Sequence, residues 1–153
     1  MSTRGYVGRD VMLEYSLQPK DTAPESLVFV RLGMCQEKEL NTTWDTVDAT
    51  GDTSPNFTKE NLVTFKSVAI TGGYVSMGDD VENQAAFEDH IFSPPAETNY
   101  QPFMHLRITF LNGKRVITGP FIVSENGISM PHGDAVKGSF SSMSDGNVTS
   151  VRA

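Results

Sequence analysis

The side chains best suited to catalysis or metal binding are few in this sequence: His90, His105, His132 and Cys35. No histidine stands at a ligand spacing from another histidine, a cysteine or a pair of carboxylates, as a transition-metal site requires. Cys35 lacks the local motif of a cysteine nucleophile and fits a small, half-buried apolar residue. We therefore expect the three histidines to be satisfied or solvent-exposed surface side chains.

Two segments that combine acidic and small polar residues also lack catalytic or metal-binding motifs. Residues 51–61 contain neither the Gly-Lys-Ser/Thr of a P-loop nor the closing glutamate of an EF-hand. Asp79 and Glu82 have the spacing of a capping box at the start of a helix, where acidic side chains favour the helix dipole. The sequence thus predicts no enzyme, no cofactor and no metal ion.

Length, charge and cysteine content limit the class of protein. A chain of 153 residues fits a single domain over residues 1–153, with residues 1–9 as an N-terminal arm. The net charge of −7 argues against tight binding to nucleic-acid phosphates, which requires clustered lysine and arginine. A single cysteine is typical of a reducing compartment. The N-terminus shows no secretory apolar region, and no apolar run reaches the ~20 residues of a membrane span.

Short apolar runs with a period of two, separated by turn residues, predict a mainly β fold of seven to eight strands with one flanking α-helix. In the first strand, residues 8–17, the side chains of Val11, Leu13 and Tyr15 share one face. Further strands are expected over 26–40, as one long strand or as two joined at Gly33, over 60–76, twice within 102–124, and over 134–144 with a short strand after it.

The strongest local signal is Asn112-Gly113 between two alternating runs, because a type I′ hairpin turn needs positive φ at both central residues. Pairing outward from this turn places Arg107 and Lys114 on the non-core side of the hairpin. The predicted core pairs are Ile108 with Ile117 and Met104 with Phe121.

One helix and one bulge are also predicted. The helix is expected from Asp80 to Phe92, stopped by the following prolines. In the strand 60–76 the alternation slips between Phe65 and Val68, which indicates a bulge. The helix face expected to be buried carries Val81, Ala85, Phe87, Ile91 and Phe92.

Residues 41–60, NTTWDTVDATGDTSPNFTKE, are polar and rich in turn-forming residues, and we predict a long loop there. Structureless loops longer than about 12–15 residues are uncommon in compact domains and are usually functional or disordered. This loop also contains Trp44, the only tryptophan of the chain.

The order of several features along the chain resembles a known family. These features are VMLEY after Gly-Arg-Asp, WDTVDAT in the long loop, VTFKSVAITGGYVS, VENQAAFEDHIF, HLRITFLNGKRVITGPFIVSEN and ISMPHGDAVKGSFSSMSDGNV. Over residues 8–150 they resemble the major tail tube protein of a long-tailed, non-contractile bacteriophage. Val47–Thr50 and Pro131–Ser141 match the V-D-A-T and P-x-G-D-x-V-x-x-S-x-S patterns that recur in that family.

The resemblance implies a β-sandwich or barrel-like tail tube fold and a structural virion protein. Six subunits would close into a ring, and stacked rings would form the tube through which DNA leaves the capsid. The implied partners are further copies of the chain, a tape measure protein, and tail tip and terminator proteins; DNA passes without specific binding, and no membrane is involved. The implied location is the virion tail, assembled in the host cytoplasm.

Two alternatives remain open at this point. One is another ring-forming tube or terminator protein of a phage or secretion-type system on the same fold. The other is a carbohydrate-binding β-sandwich module, which would need aromatic side chains on an exposed face, whereas Trp44 and Phe57 stand alone in a polar loop. Visible tubes in purified protein would separate the tube-forming proteins from the other classes.

Within a tube subunit, the loop 41–60 is expected to lie between subunits. Ordering a loop of this length costs on the order of 20–40 kcal/mol, which corresponds to on the order of 800–1,600 Å² of buried apolar area at about 25 cal/mol per Å². Neighbouring copies can supply that area, and the loop is therefore predicted to be disordered in the isolated subunit and ordered in the polymer. The contact residues expected in this loop are Trp44, Asp45, Val47, Asp48, Asp52, Phe57 and Lys59.

A conduit for DNA should have an acidic wall, because lysine and arginine contacts would hold the moving phosphates. Glu37 and Glu39 are the predicted wall residues, since they alternate onto one face of a strand together with Cys35. Arg107 and Lys114 are expected to meet acidic groups of a neighbouring subunit. A loop that turns inward would add Asp45, Asp48 and Asp52 to the wall.

Overall fold

The computed structural model describes residues 8–51, 56, 58–77, 83–110 and 113–152. Residues 8–10 form a single 3-10 turn, and residues 1–7 of the expected N-terminal arm lie outside the described residues. No helix in the described ranges is long and apolar enough to cross a membrane. In chain order the elements are β1 (Val11–Ser16), β2 (Val30–Arg31), β3 (Cys35–Asp48), β4 (Asn61–Val75), α1 (Gln84–Phe92), β5 (Phe103–Phe110), β6 (Arg115–Ser129), β7 (Lys137–Ser144) and β8 (Thr149–Arg152).

The strands form one antiparallel sheet in the order β2-β1-β5-β6-β7-β4-β3, with β8 paired to β6 beside this path. The first part of β6 pairs with β5 and β8, and its later part pairs with β7, with a bulge at Ser124. Bulges bend a strand and increase its twist. The sheet curls far enough that Leu40 on β3, Val11 on β1 and Ile108 on β5 line one small cavity. The predicted barrel-like β fold with one flanking helix is confirmed in the described part of the chain.

The core lies inside this curled sheet, and alternation in the sequence predicted much of it. Val11, Leu13 and Tyr15 are buried along β1. The hairpin of β5 and β6 has the predicted register, with Phe110 opposite Arg115 as the described pair nearest the turn; Asn112 lies outside the described residues. The confirmed core pairs, all buried, are Ile108 with Ile117 and Met104 with Phe121.

Helix α1 starts later than predicted and buries a different face. The capping-box residues Asp79 and Glu82 lie outside the described residues. Phe87 is fully buried as expected, but Ala85 is exposed and Phe92 is 91% exposed, so the predicted face was wrong at these two positions. At about 100° per residue, they lie roughly 160° and 140° away from Phe87 around the helix. The buried residues of the helix are Gln84, Phe87 and His90.

Gln84 and Phe87 fix the helix to the sheet. The Phe87 ring packs edge-on between Tyr15 and Phe140, with a centroid distance of 5.3 Å to each. The Gln84 side chain accepts a hydrogen bond from the backbone N–H of Met77 at 2.8 Å. It also donates to the carbonyls of Val75 and Gly33, at 2.7 and 3.2 Å. Through Gln84, the helix therefore ties the end of β4 to the turn that precedes β3.

Two of the three histidines, His90 and His105, are buried. The prediction of a surface position was therefore wrong for them, although both have hydrogen-bond partners, as a satisfied side chain should. His90 Nε2 lies 2.5 Å from the Phe103 carbonyl, and His105 Nε2 lies 3.1 Å from the Pro19 carbonyl. Burial lowers the pKa of His90, which favours the neutral imidazole. The cause of the His105 burial is that the segment between β1 and β2 crosses the non-core side of β5. His132 is exposed, as expected.

The predicted loop over 41–60 is largely wrong, because β3 continues to Asp48. Residues 41–48 pair with β4 down to Asn61, and only residues 49–60 connect the two strands. The predicted strand 26–40 is reduced to the short β2 and the start of β3, separated at Gly33 as expected. Threonine, valine and tryptophan favour strands, and in 41–48 this preference outweighs the polar composition.

Two bulges change which side chains share a face. An extra residue, Gln36, separates Cys35 from Glu37 in the pairing with β4. Cys35 therefore packs against the core while Glu37 is exposed, and the prediction that they share a face was wrong. The predicted bulge in β4 is present, but it lies at 64–65, between the partners of Trp44 and Thr46, slightly before the predicted position.

Gly138 on β7 is a position where we expect no side chain to be tolerated. A Cβ there would lie 2.2 Å from the ring of Tyr74, which is buried. Gly138→Ala should lower the free energy of unfolding by about 1–3 kcal/mol, as overpacking a core does. Gly73→Ala is the matched control, because its Cβ would meet its nearest neighbour at 3.6 Å, an ordinary contact. Urea unfolding followed by circular dichroism measures both, and equal losses would contradict the packing argument.

Candidate interaction surfaces

The outer halves of β3 and β4 project from the core as a β-hairpin. We call residues 41–66 the hairpin arm: strand residues 41–48 and 61–66 with the connection 49–60 between them. Every described residue of the arm is exposed, although its backbone is paired from Asn41 opposite Ala69 to Asp48 opposite Asn61. A two-stranded hairpin alone is at best marginally stable in water, so the arm depends on its base in the sheet or on another surface.

The hairpin arm exposes large apolar side chains on both faces. Directly paired residues of antiparallel strands share a face. Trp44, opposite Lys66, therefore lies on one face together with Val63. Val47 and Leu62 are opposite each other on the other face, where the bulge also directs Phe65. The exposed fractions are 50% for Trp44, 48% for Val47, 60% for Leu62, 59% for Val63 and 74% for Phe65.

The end of the hairpin arm is closed by polar contacts. The backbone N–H of Ala49 donates to the Glu60 carbonyl at 2.9 Å, and the Thr50 hydroxyl accepts from the Glu60 N–H at 2.7 Å. Asp48 Oδ1 accepts from the Thr50 N–H at 2.8 Å, and hydrogen bonding to Thr50 lowers the pKa of Asp48. These contacts order residues 48–50 and 60 without burying any of them.

The other residues predicted for the contact segment are distributed along the same arm. Trp44 has the ammonium of Lys66 5.9 Å from its ring centroid. Asp45 is exposed on the face of Val47, and Lys59 is exposed next to Glu60. Asp52 and Phe57 lie outside the described residues. Sequence reasoning missed Leu62, Val63 and Phe65, which it treated as an ordinary strand; their alternation break was the available signal.

Glu37 and Glu39 belong to a solvent-exposed sheet surface, which we call the outer face. Strand pairing aligns two rows across β3, β4, β7 and β6. The first row is Glu39, Thr71, Ser141 and Glu125; the second is Glu37, Gly73, Ser139 and Gly127. Small and hydroxyl side chains fill the space between the carboxylates. The residues that line an open groove here include Glu37, Glu39, Thr71, Ser139 and Ser141, together with Lys38 and Phe140.

Glu125 is the member of the outer face that the sequence reasoning missed. The strands predicted within 102–124 end before Glu125, whereas β6 extends to Ser129. The bulge at Ser124 separates buried Val123 from exposed Glu125. Alternation alone could not predict this placement, because the strand changes phase at the bulge.

The two predicted hairpin cations are in different situations. Arg107 forms a two-pronged ion pair with Glu14 of its own chain, with N···O distances of 2.8 and 3.2 Å. Its guanidinium also lies 4.2 Å from the centroid of Phe29. The charge of Arg107 is thus paired within the subunit rather than left for a neighbour. Lys114 is exposed in the hairpin turn. Its contact with acidic groups of a neighbouring subunit stays a prediction.

The described residues contain no group of three or more His, Cys, Asp or Glu side chains placed to hold a metal ion. Burial raises the pKa of the Cys35 thiol, which donates to the Leu32 carbonyl at 3.3 Å. The Tyr74 hydroxyl donates to Glu88 at 2.6 Å, and burial is the main cause that raises its pKa. Tyr74 thus links the sheet to the helix, and Cys35 packs against the core.

No protein-family model and no curated protein matches this sequence, but solved structures match nearly the whole chain. A chain in the tail of an empty gene transfer agent (GTA) particle, refined with C6 symmetry, gives a TM-score of 0.71 at 17% identity, covering 95% of this chain and 98% of that chain. A chain of the SPP1 tail tube gives 0.64 at 16% identity, covering 97% and 80%. A chain of the tube-terminating cap of the anti-feeding prophage gives 0.62 at 10% identity, covering 100% and 95%. This chain therefore has the tail tube fold that the sequence resemblance implied.

Proposed function

We propose that this protein is the structural subunit of the tail tube of a phage-like particle, without enzymatic activity. The observation that carries the proposal is the hairpin arm, with exposed apolar side chains on both faces, in a chain with the tail tube fold. Exposed apolar patches beyond a few hundred Å² are uncommon on monomeric proteins and mark interaction sites. A self-assembling subunit accounts for both faces, because the neighbours in a polymer surround the arm.

The arm has enough apolar area to support assembly. Full burial of one large apolar side chain contributes about 1.5–3 kcal/mol, and five such side chains in the arm are about half or more exposed. Its backbone is already paired, so less conformational entropy is lost on docking than for a disordered loop. Trp44 and Phe65 are the expected aromatic anchors, as aromatic residues commonly dominate interfaces.

Six subunits in a ring, and rings stacked into a tube, agree with the C6 symmetry of the GTA tail. In this arrangement the outer face is the wall of the bore, with Glu37, Glu39 and Glu125 as its acids. Carboxylates repel the DNA backbone over about 8 Å at physiological salt. The small serine, threonine and glycine side chains between them give a smooth surface with few groups that could hold a phosphate.

The proposed partners follow from this role. They are further copies of the chain, a tape measure protein inside the bore during assembly, and tail tip and terminator proteins at the two ends. DNA passes through the bore without specific binding. The assembled protein belongs to the virion tail, built in the host cytoplasm.

A cap or terminator ring is the second candidate, supported by the likeness to the anti-feeding prophage cap. A carbohydrate-binding surface is disfavoured, because Trp44 and Phe65 lie on opposite faces of the arm and form no common platform.

Electron microscopy of the purified full chain tests the proposed function. We expect hollow tubes of stacked rings, roughly ten nanometres wide for rings of six domains of this size. Single rings that never stack would favour the cap or terminator role instead. A protein that stays monomeric at high concentration, with intact circular dichroism, would contradict both.

The hairpin arm is expected to become protected on assembly. Amide exchange over 41–66 should slow in the polymer, and the emission of Trp44 should shift to the blue as water is excluded, whereas exchange in β5 should be equal in both forms. Leu62→Asp should abolish assembly while changing the stability of the isolated subunit by no more than about 0.5 kcal/mol, as for other exposed positions. Val28→Asp, at an exposed apolar side chain outside the arm (69%), is the matched control. Equal exchange in subunit and polymer would sink the assigned role of the arm.

The acidic bore is a separate prediction. A tube structure should show Glu37, Glu39 and Glu125 facing the bore. Glu39→Lys combined with Glu125→Lys should slow DNA release and make its rate depend on salt, because each new phosphate contact releases counterions. Glu25→Lys, in the exposed turn after β1, adds a cation off the outer face and should leave release unchanged. A bore of net positive charge would contradict the argument.

A further inference from the structure

A second exposed apolar surface lies at the end of the sheet opposite to the tip of the hairpin arm. We call it the end patch; its exposed fractions are 44% for Met34, 40% for Met77, 43% for Ile128, 75% for Met130 and 37% for Val136. Backbone hydrogen bonds hold its segments together. The N–H of Val75 donates to the Met34 carbonyl at 3.1 Å, and the N–H of Ser76 donates to the Val136 carbonyl at 2.8 Å.

The end patch and the arm tip are at opposite ends of the same strands. β3 begins at Cys35, directly after Met34, and ends in the arm at Asp48, 14 residues in all. At about 3.3 Å per residue this strand is roughly 45 Å long. One copy of the chain therefore cannot bring its own arm tip to its own end patch.

Different apolar surfaces at opposite ends of a subunit favour head-to-tail contact. A two-fold contact uses the same patch on both subunits, whereas a contact between two different patches continues without limit when no rotation closes it. Pairing arm with arm would leave the end patch of both copies exposed. Pairing arm with end patch covers both surfaces in every copy except the two at the ends of the stack.

Side-chain chemistry also matches between the two surfaces. Methionine adapts its shape and makes favourable contacts with aromatic rings, which suits the exposed rings of the arm.

Met34 is held outward by an unfavourable backbone conformation. Its φ is 57°, a left-handed conformation that costs roughly 1–2 kcal/mol in a residue with a side chain. Such conformations persist where the surrounding structure requires them, often at functional positions. Here the turn at 33–34, with Met34 in the left-handed conformation, presents a methionine at the surface next to Val75.

We propose that the end patch is the docking site for the hairpin arm of a second copy of this chain, in the next ring of the tube. The inference rests on the proposed function and identifies the receiving surface. The arm tip of one ring packs on Met34, Met77, Ile128, Met130 and Val136 of the adjacent ring, and this contact stacks the rings.

Cysteine cross-linking in assembled tubes tests the contact. In a Cys35→Ser background, we compare Val47→Cys alone, Met130→Cys alone, and the two combined, each confirmed as tubes by electron microscopy before treatment with a short bismaleimide. The combined variant should give a ladder of cross-linked chains that continues past the ring number. Each single variant should stay uncross-linked, because identical positions do not meet in a head-to-tail contact.

Any other cross-linking result would contradict the proposed docking site. Dimers from Val47→Cys alone would show arm-to-arm contact. A ladder that stops at the ring number would place the contact within one ring. Tubes of the combined variant without a ladder would place the arm elsewhere, while the tube function itself would stand. If the unmodified chain forms no tubes, the proposed function fails, and the docking site fails with it.

A second pair of variants does not depend on cross-linking geometry. Met130→Asp should leave rings that do not stack, and Met130→Leu, which keeps the apolar surface, should still form long tubes. Circular dichroism and urea unfolding should show both variants folded, since Met130 is 75% exposed. Long tubes formed by Met130→Asp would overturn the proposal.

Discussion

Two strands of this protein, β3 and β4, extend beyond the hydrophobic core, and the rest of the structure depends on this extension. β3 has 14 residues and β4 has 15, but the buried side chains of β4 begin only at Val68. Beyond that point the strands pair with each other alone. Pairing satisfies the backbone N–H and C=O groups but leaves the apolar side chains of the arm in water. The hydrogen bonds define the shape of the arm, and burial of its side chains requires another molecule.

The base of these strands is correspondingly rigid. Gln84 binds the end of β4 and the turn before β3 from inside the fold. Gly72 lets β4 approach both neighbouring strands, since a Cβ there would lie 2.9 Å from the Glu37 carbonyl and from the Phe140 ring. A rigid base fixes the direction of the arm, as the proposed contact between stacked rings would require.

The sequence predicted the registers and buried faces that depend on local alternation. It failed where contacts between distant segments determine which side chains are buried. The β5–β6 register followed from one Asn-Gly turn, and the burial of β1 followed from its period of two. The burial of His105 depends on the Pro19 segment crossing β5, which no local pattern records. Glu125 was missed because a bulge shifts the phase of β6. Residues 41–48 include strand-forming types, but they are mostly polar and therefore suggested a loop. They form a strand because they pair with β4 in a part of the sheet that is exposed on both faces.

The strand order also sets when the arm can first be held in place. β4 joins the rest of the sheet through β7, and the side chain of Ser142 on β7 bonds to the Ile70 carbonyl, 72 residues earlier in the chain. Contacts at such separation form late, because a long loop must close first. During synthesis, β3 and β4 leave the ribosome well before the strand that anchors them. The apolar segment of a nascent chain is therefore not anchored to the sheet until translation is nearly finished. In the proposed tube, the arm would take its final position only after the subunit has folded completely.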